Sequence, residues 1–431
     1  MWTAIITDIG LLFLFKYFDF ALGNSDLAKS MYHHSSTAWI IELGKYTIPA
    51  GISFYTFQSI SYVVDVYRGD EIPENNPIKF MLFVSFFPQL VAGPIERFGK
   101  LHSQLFAKYS PKLSDLRSGL QLMLYGMFLK VAVADNLAGV VDQYYSDHTK
   151  FTQLSTWVAT FMFTFQVYYD FYGYSLLAQG SAKLFGVDLM DNFNKPFLAG
   201  SVPEFWHRWH ISLSTWFRDY IFIPVGGNRS GKWRLALAVL LVFFTSGLWH
   251  GANSTMIYFG LSQGLLYLFD RFVVGRRGSE SNFWMVFRRL KTVFFFWMTL
   301  VFFRSININQ SEEVYSVLFS GEGNAVGVQL GSIWEQLASI FKNSSDIGLS
   351  HGTVSSVLPG WKHYENLQVP FHVSLFLLVA ILLDHFIIMQ RIDNWFLQKS
   401  TWIRWIVYVF FIVAVLFWGG AVNHPFVYFQ F

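Results

Sequence analysis

The sequence predicts an all-α, polytopic integral membrane protein with roughly nine to eleven transmembrane or half-membrane helices. Three observations predict it. Charged residues make up only 14% of the 431 residues and aromatic residues 20%, against about 25% charged in an average soluble domain. Residues 235–269 and 405–431 carry no Asp, Glu, Lys or Arg at all, and 46–64, 151–169 and 366–383 are further charge-free runs. The apolar residues also come in unbroken blocks and not in strict alternation, which disfavours an outer-membrane barrel.

The 35-residue run 235–269 is long enough for two crossings of about 20 residues joined by a turn. Loop charge predicts the topology. Arg97, Lys100, Lys108, Lys112 and Arg117 form one basic cluster, Arg229, Lys232 and Arg234 a second, and Arg271, Arg276, Arg277, Arg288, Arg289 and Lys291 a third. Cytoplasmic loops collect Lys and Arg, so all three are expected inside. The stretch 305–369 holds six acids against Lys342 and Lys362 and is expected mainly outside, with a helix around 333–341. The C-terminus is then extracytoplasmic. No repeat or linker divides the chain, so residues 1–431 are expected to form a single membrane-embedded domain.

Composition also removes function classes. With no Cys there is no disulfide, no thiol nucleophile and no Cys-based metal site. A net charge of +3 without an interleaved basic–aromatic run gives no reason to expect a nucleic-acid partner. No cleavable signal sequence is evident, since Met1 leads into an apolar stretch without a basic n-region. G-x-S-x-G, Walker A and G-x-G-x-x-G motifs do not occur, so serine hydrolase, ATPase and dinucleotide readings lack support.

Two segments carry chemistry. The turn of the long run reads Thr245-Ser-Gly-Leu-Trp-His-Gly-Ala-Asn253. His250 lies between Gly247 and Gly251, which permit close backbone approach. An ionisable residue in such a run is a functional-site hypothesis; a His hydrogen-bonded to a backbone carbonyl in a tight junction explains it equally well. Trp249 and Asn253 flank it as candidate substrate contacts. The second segment is Pro203-Glu-Phe-Trp-His-Arg-Trp-His-Ile-Ser-Leu-Ser-Thr-Trp-Phe-Arg-Asp219, expected as an amphipathic interfacial helix in contact with membrane lipid. Helical spacing places His207 and His210 on roughly one face. No second carboxylate–His cluster supplies further ligands, so no metal is expected. An interfacial anchor explains the Trp and Arg residues here but not Glu204, His207 and His210 together.

These segments carry a resemblance. Phe205-Trp-His-Arg-Trp-His-Ile-Ser-Leu-Ser214, Arg218-Asp-Tyr-Ile-Phe-Ile-Pro-Val-Gly-Gly-Asn-Arg229 and Gly247-Leu-Trp-His-Gly-Ala252 are similar to motifs of the membrane-bound O-acyltransferase family. The narrower resemblance is to the bacterial branch of alginate and peptidoglycan O-acetyltransferases, related to the teichoic-acid D-alanylation membrane protein. Pro49-Ala-Gly-Ile-Ser-Phe-Tyr-Thr-Phe-Gln58, Ser61-Tyr-Val-Val-Asp-Val-Tyr-Arg-Gly69, Phe86-Phe-Pro-Gln-Leu-Val-Ala-Gly-Pro-Ile95 and Asp170-Phe-Tyr-Gly-Tyr-Ser175 extend it in order along nearly the whole chain. The chain departs in two places. Members of this branch carry further membrane segments before the stretch beginning at Ile9, so the outer helix wall is expected to be incomplete. Gly173-Tyr-Ser-Leu-Leu-Ala178 lacks an acidic residue that relatives often have.

The resemblance implies helices around a central tunnel in a bacterial inner membrane. Through it an acyl group passes from a cytoplasmic thioester, acetyl-CoA, towards an envelope polysaccharide, and a separate extracytoplasmic transferase of SGNH type completes delivery. His250 matches the family's presumed general base and His210 its second His. An imidazole titrating near neutrality suits that task. Glu204, His207 and Arg208 are implied near the substrate path, where Arg208 or Arg218 meets donor phosphates or lipid headgroups. The ending Phe426-Val-Tyr-Phe-Gln-Phe431 resembles a tail associated with this branch and implies Tyr428 as an acyl-carrying phenol, whose leaving group (pKa about 10) is better than an alcohol. Interfacial anchoring by these aromatics is the plainer account. D-alanyl transfer from a carrier-protein thioester is the alternative within the family, and a solute transporter the alternative outside it.

Overall fold

The computed structural model describes residues 1–17, 51–90, 93–110, 112–229, 231–275, 281–320, 367, 369–387 and 391–419, and no β-strand occurs among them. The helices are α1 (Trp2–Leu12, running into a π turn, Phe13–Tyr17), α2 (Ile52–Arg68), α3 (Pro77–Ser85) and α4 (Phe98–Leu105). Then come α5 (Leu113–Met127), which passes through the π segment Phe128–Ala134 into α6 (Asp135–Ser146), and α7 (Gln153–Leu184). Two short helices, α8 (Val202–Arg208) and α9 (Ile211–Phe217), precede α10 (Gly231–His250) and α11 (Ser254–Phe269). The chain continues through α12 (Asn282–Arg304), α13 (Ile308–Phe319), α14 (Phe371–Ile381), α15 (Ile392–Leu397) and α16 (Thr401–Trp418).

Among the described residues, three helical segments are long and apolar enough to cross a membrane: Leu113–Ser146, Gly231–His250 and Thr401–Trp418. The third turns Trp402, Ile406, Leu416 and Phe417 outward, a surface that suits lipid and not water. At 32 residues, α7 exceeds the needed length. Thr156, Thr160, Thr164, Gln166, Tyr168, Tyr169 and Asp170 are buried within the bundle, so composition understates it.

Small residues bring the central helices together. A Cβ on Gly126 would stand 2.7 Å from the Gly173 carbonyl oxygen, and one on Gly119 would stand 2.7 Å from that of Gly180. Both pairs are seven residues apart on antiparallel α5 and α7, so the backbones touch along two turns. The α10–α11 hairpin closes similarly. A Cβ on Gly260 would meet the Phe243 oxygen at 2.2 Å, and one on Gly247 the Met256 oxygen at 2.3 Å. Gly247 thus sits inside the helix and serves packing, while the chain turns only after His250.

The basic clusters meet at one end of the bundle. Arg97 pairs with Asp219 at 3.5 Å, Arg271 donates to Asn228 at 3.2 Å, and Arg288 donates to the Gly200 carbonyl at 3.2 Å. The first turn of α10 starts at this end and His250 closes its other end.

Two expectations change. The polar stretch after residue 305 opens with a helix, α13, capped by the Asn307 side chain and burying Gln310, Ser311, Val314 and Leu318. Its acids Glu312 and Glu313 face outward and mask the buried stripe in the sequence. The segment 203–219 is not one helix. It breaks at Trp209–His210, for a reason given below. The helix expected at 333–341 and the tail with Tyr428 lie outside the described residues.

Candidate active site

Ser201 starts α8 by accepting a hydrogen bond from the Glu204 N–H at 3.2 Å, and the Glu204 carboxylate accepts one from the Gly200 N–H at 2.9 Å, a near-capping box. Seven residues later the helix stops. The 192–194 loop clamps it from both sides: Asn194 N–H donates to the Arg208 carbonyl, and Ile211 N–H to the Asn192 carbonyl, both at 2.9 Å. The Asn192 side chain accepts from Ser212 Oγ at 2.6 Å and donates to Ser175 Oγ at 2.9 Å. Between the clamps His210 adopts φ 43°, one of two non-glycine residues with positive φ among those described. That conformation is uncommon and costs energy, so it persists only where surroundings impose it. It drives the His210 side chain into the core, whereas His207 stays exposed. The helical arithmetic that put both on one face therefore fails, and with it the two-histidine arrangement that metal binding needed.

His210 and His250 approach each other through Trp249. Its ring lies 5.9 Å from the His210 ring and 5.0 Å from the His250 ring. Phe171 packs edge-on to His210 at 4.6 Å, and Phe303 to His250 at 5.4 Å. Both histidines are at most 4% exposed. The result is a water-poor aromatic chamber holding two imidazoles. No group of three or more His, Asp or Glu able to hold a metal occurs among the described residues.

The chamber is completed from far away in sequence. As the last residues of α10, Leu248 and Trp249 leave carbonyls without intrahelical partners. Tyr17 donates to the first at 2.8 Å and Lys16 Nζ to the second at 2.5 Å. Lys16 also stands 5.8 Å from the Trp249 ring and within electrostatic reach of His250. A cation at a helix C-terminus is favourable. Sequence reasoning missed Lys16, although it is a lone charge in the apolar stretch from Ile9 to Phe18, the signal used for His250. For the acyl transfer that the sequence resemblance implies, replacing Lys16 with Met is expected to lower the rate on the order of 10-fold or more, the worth of one charged hydrogen bond. Lys16→Arg should restore part of it. Initial rates of the purified variants check this, and wild-type rates for Lys16→Met would remove it from the site.

A cavity of about 220 Å³ climbs along α10, touching Val239, Val242, Phe243 and Ser246 in turn. Four residues beyond Ser246, the same stripe reaches His250. At the other end the cavity is bordered by His207, Arg218, Asn228 and Arg271, so an apolar passage has a basic mouth. Arg208 is not part of it. It pairs with Glu204 at 2.8 Å and donates to the Asn194 carbonyl at 3.3 Å, bracing the His210 turn. Asn253 caps α11 through the Thr255 N–H at 3.3 Å and donates to the Ile306 carbonyl at 2.9 Å. The structure therefore brings His210, Trp249 and His250 together, sets His207 at the cavity mouth, and uses Glu204, Arg208 and Asn253 to hold backbone.

A family model described as MBOAT, membrane-bound O-acyltransferase family, matches residues 75–311. The chain is 38% identical to a probable alginate O-acetylase AlgI of Pseudomonas syringae over 74% of its own length and 60% of the relative's. It is 32% identical to the peptidoglycan O-acetyltransferase of Helicobacter pylori over 83% and 71%. With the teichoic acid D-alanyltransferase of Bacillus subtilis it shares 28% identity over 68% and 74%. The chain spans about three fifths of the length of the alginate O-acetylases it matches. The matched region contains α8 to α12 and both buried histidines, and the chain belongs to the membrane-bound O-acyltransferase family.

Proposed function

We propose that this chain is an O-acetyltransferase of the bacterial inner membrane. It moves acetyl groups from cytoplasmic acetyl-CoA to an envelope polysaccharide of the alginate or peptidoglycan kind. The observation that carries the reading is the Trp249-bridged pair of buried histidines above a cavity with a basic mouth. That mouth suits the phosphates of the donor, and the apolar passage suits its pantetheine arm, with Arg218, Arg271 and His207 at the entrance. His250 takes the proton of the attacking hydroxyl as its oxygen bonds to the thioester carbonyl carbon. The C–S bond then breaks, and the thiolate leaving group receives that proton, so no net charge is produced. His210, fixed in its strained turn, faces the same chamber and binds or orients the reacting group. Exclusion of water by Trp249, Phe171 and Phe303 protects the ester from hydrolysis.

In the same proposal the first acceptor is the Tyr428 phenol in the extracytoplasmic tail. A separate SGNH-type transferase takes the acetyl group from there, regenerating the phenol. The test is incubation of purified protein with radiolabelled acetyl-CoA followed by peptide mapping. Label on Tyr428 is expected, and Tyr428→Phe is expected to reduce polysaccharide acetylation in cells to background. Normal acetylation in that variant would end the relay. Label only from a D-alanyl carrier thioester would move the donor assignment to D-alanine, and a labelled solute transported independently of His250 would replace the enzyme reading.

A further inference from the structure

The sequence motif at residues 86–95 runs directly into Glu96, a carboxylate that the proposed reaction leaves without a task. Glu96 is 1% exposed. Burying a charged group is costly unless hydrogen bonds and an opposite charge compensate it. Its Oε2 stands 3.8 Å from Lys100 Nζ, on a half-exposed side chain, while Oε1 accepts a hydrogen bond from the Met190 N–H. Glu96 immediately precedes Arg97, the N-cap of α4, a place from which a carboxylate can serve the N-terminus of its own helix. Its acceptor oxygen reaches instead to a loop 94 positions away.

That loop is the one that clamps His210, and it is anchored on both sides of Met190. Gln104 of α4 exchanges two hydrogen bonds with the Asp188 backbone, at 2.8 and 3.1 Å. Gln179 of α7 donates to the Met190 carbonyl at 2.9 Å and to the Asp191 carboxylate at 2.8 Å. Downstream, Asn192 and Asn194 hold the backbone before and after His210. Met190 precedes Asn192 by two positions, a span of at most about 7 Å of chain. The residue before Glu96 faces the chamber itself, since Ile95 is buried in the apolar cluster of Phe57, Trp216 and Trp249. Residues 95 and 96 therefore tie the Trp249 side of the chamber to the loop that imposes the His210 turn.

We infer that Glu96 is a positioning residue: by holding the Met190 N–H it fixes the loop to Asn194, and through that loop the inward turn of His210. A backbone at φ 43° persists only while its surroundings impose it. With Met190 unheld, the asparagine clamp shifts and His210 relaxes towards an ordinary φ, which carries its ring out of the chamber. The placement stands on the hydrogen bonds alone, whereas its effect on turnover rests on the acetyl-transfer reading above.

Carbethoxylation of histidines by diethyl pyrocarbonate, followed by peptide mapping of the intact protein in lipid nanodiscs, tests the placement without reference to activity. In wild-type protein the exposed His207 is expected to react, while His210, His250 and His385, each at most 4% exposed, stay protected. In Glu96→Ala, local opening of this one segment should make His210 react about 10-fold faster, with His250 and His385 still protected. His210 as protected as in the wild type would overturn the inference. Exposure of all three histidines together would overturn it too, because Glu96 would then hold the whole bundle and not this turn. Glu96→Gln keeps an acceptor for the Met190 N–H and should keep His210 protected. Reactivity equal to that of Glu96→Ala would assign the effect to the lost charge and refute the hydrogen-bond account.

With acetyl-CoA as donor, Glu96→Ala should lower kcat about 10-fold or more, since a misplacement of about 1 Å can cost on the order of 100-fold. KM should stay within about twofold, because Arg218, Arg271 and His207 at the cavity mouth are untouched, and Glu96→Gln should restore kcat. An unchanged kcat alongside a reactive His210 would remove the positioning role. A wild-type protein inactive with acetyl-CoA would end the functional reading, and the labelling would still decide what Glu96 holds.

Discussion

His250→Ala is expected to abolish acetyl transfer from labelled acetyl-CoA while the protein still inserts and unfolds at nearly the wild-type temperature. A positioned general base contributes about 10²–10⁴-fold, so activity should drop by at least two orders of magnitude. The fold should tolerate the change, since His250 is the last residue of α10 and the hairpin is held by Gly247, Gly260 and the Lys16 and Tyr17 caps. The loss should appear in kcat and not in donor affinity, because the basic cavity mouth is untouched. Rapid-quench assays at saturating acetyl-CoA, with thermal unfolding in parallel, measure both quantities. Substantial residual transfer in a stable variant would take His250 out of the reaction.

The largest expected effect on stability comes from Gly247→Val. A Cβ there would lie 2.3 Å from the Met256 carbonyl oxygen and 3.3 Å from the Gly260 Cα. Both obstacles are backbone, so no rotamer change relieves the clash and the two helices must separate. Overpacking of a close crossing costs about 1–3 kcal/mol and occasionally more. Here the upper end is expected, because separating α10 from α11 also exposes the polar atoms that Gln263 shares with Trp206 and Thr299. The control is Gly139→Ala in α6, where a Cβ would meet nothing within 4 Å. It should be neutral or stabilising by up to about 1 kcal/mol. Size-exclusion profiles and melting curves of both variants decide the matter, and a Gly247→Val protein as stable as Gly139→Ala would contradict the close crossing.

Much of the architecture is legible in the sequence. A charge-free run of 35 residues allows few arrangements other than a hairpin, and the turn falls at residues 251–253, within the segment expected to form it. His250 stands out because an imidazole in that run is costly unless it is used. The helix Ile308–Phe319 is hidden because its outward acids give the stretch a loop-like polarity, while the burial of Val314 and Leu318 depends on α7 and α12 being present.

The histidine pair shows where local reading ends. Spacing of three predicts one face only if the helix continues, and it stops because Asn192 and Asn194 bind the backbone on both sides of His210. Nothing within the His207–His210 segment encodes that clamp. Lys16 completes the chamber from 233 positions away, and Glu204 and Arg208 satisfy each other where the motif alone implied substrate contacts. Composition and apolar block length by themselves determined the membrane class, the helical architecture, the α10–α11 hairpin and the candidacy of His250, because those follow from what a bilayer tolerates along a single helix. Tertiary structure alone decided which imidazole turns inward, what caps α10 and which face of α10 the cavity follows. Each of these depends on hydrogen bonds and close backbone approaches between segments that only folding brings together.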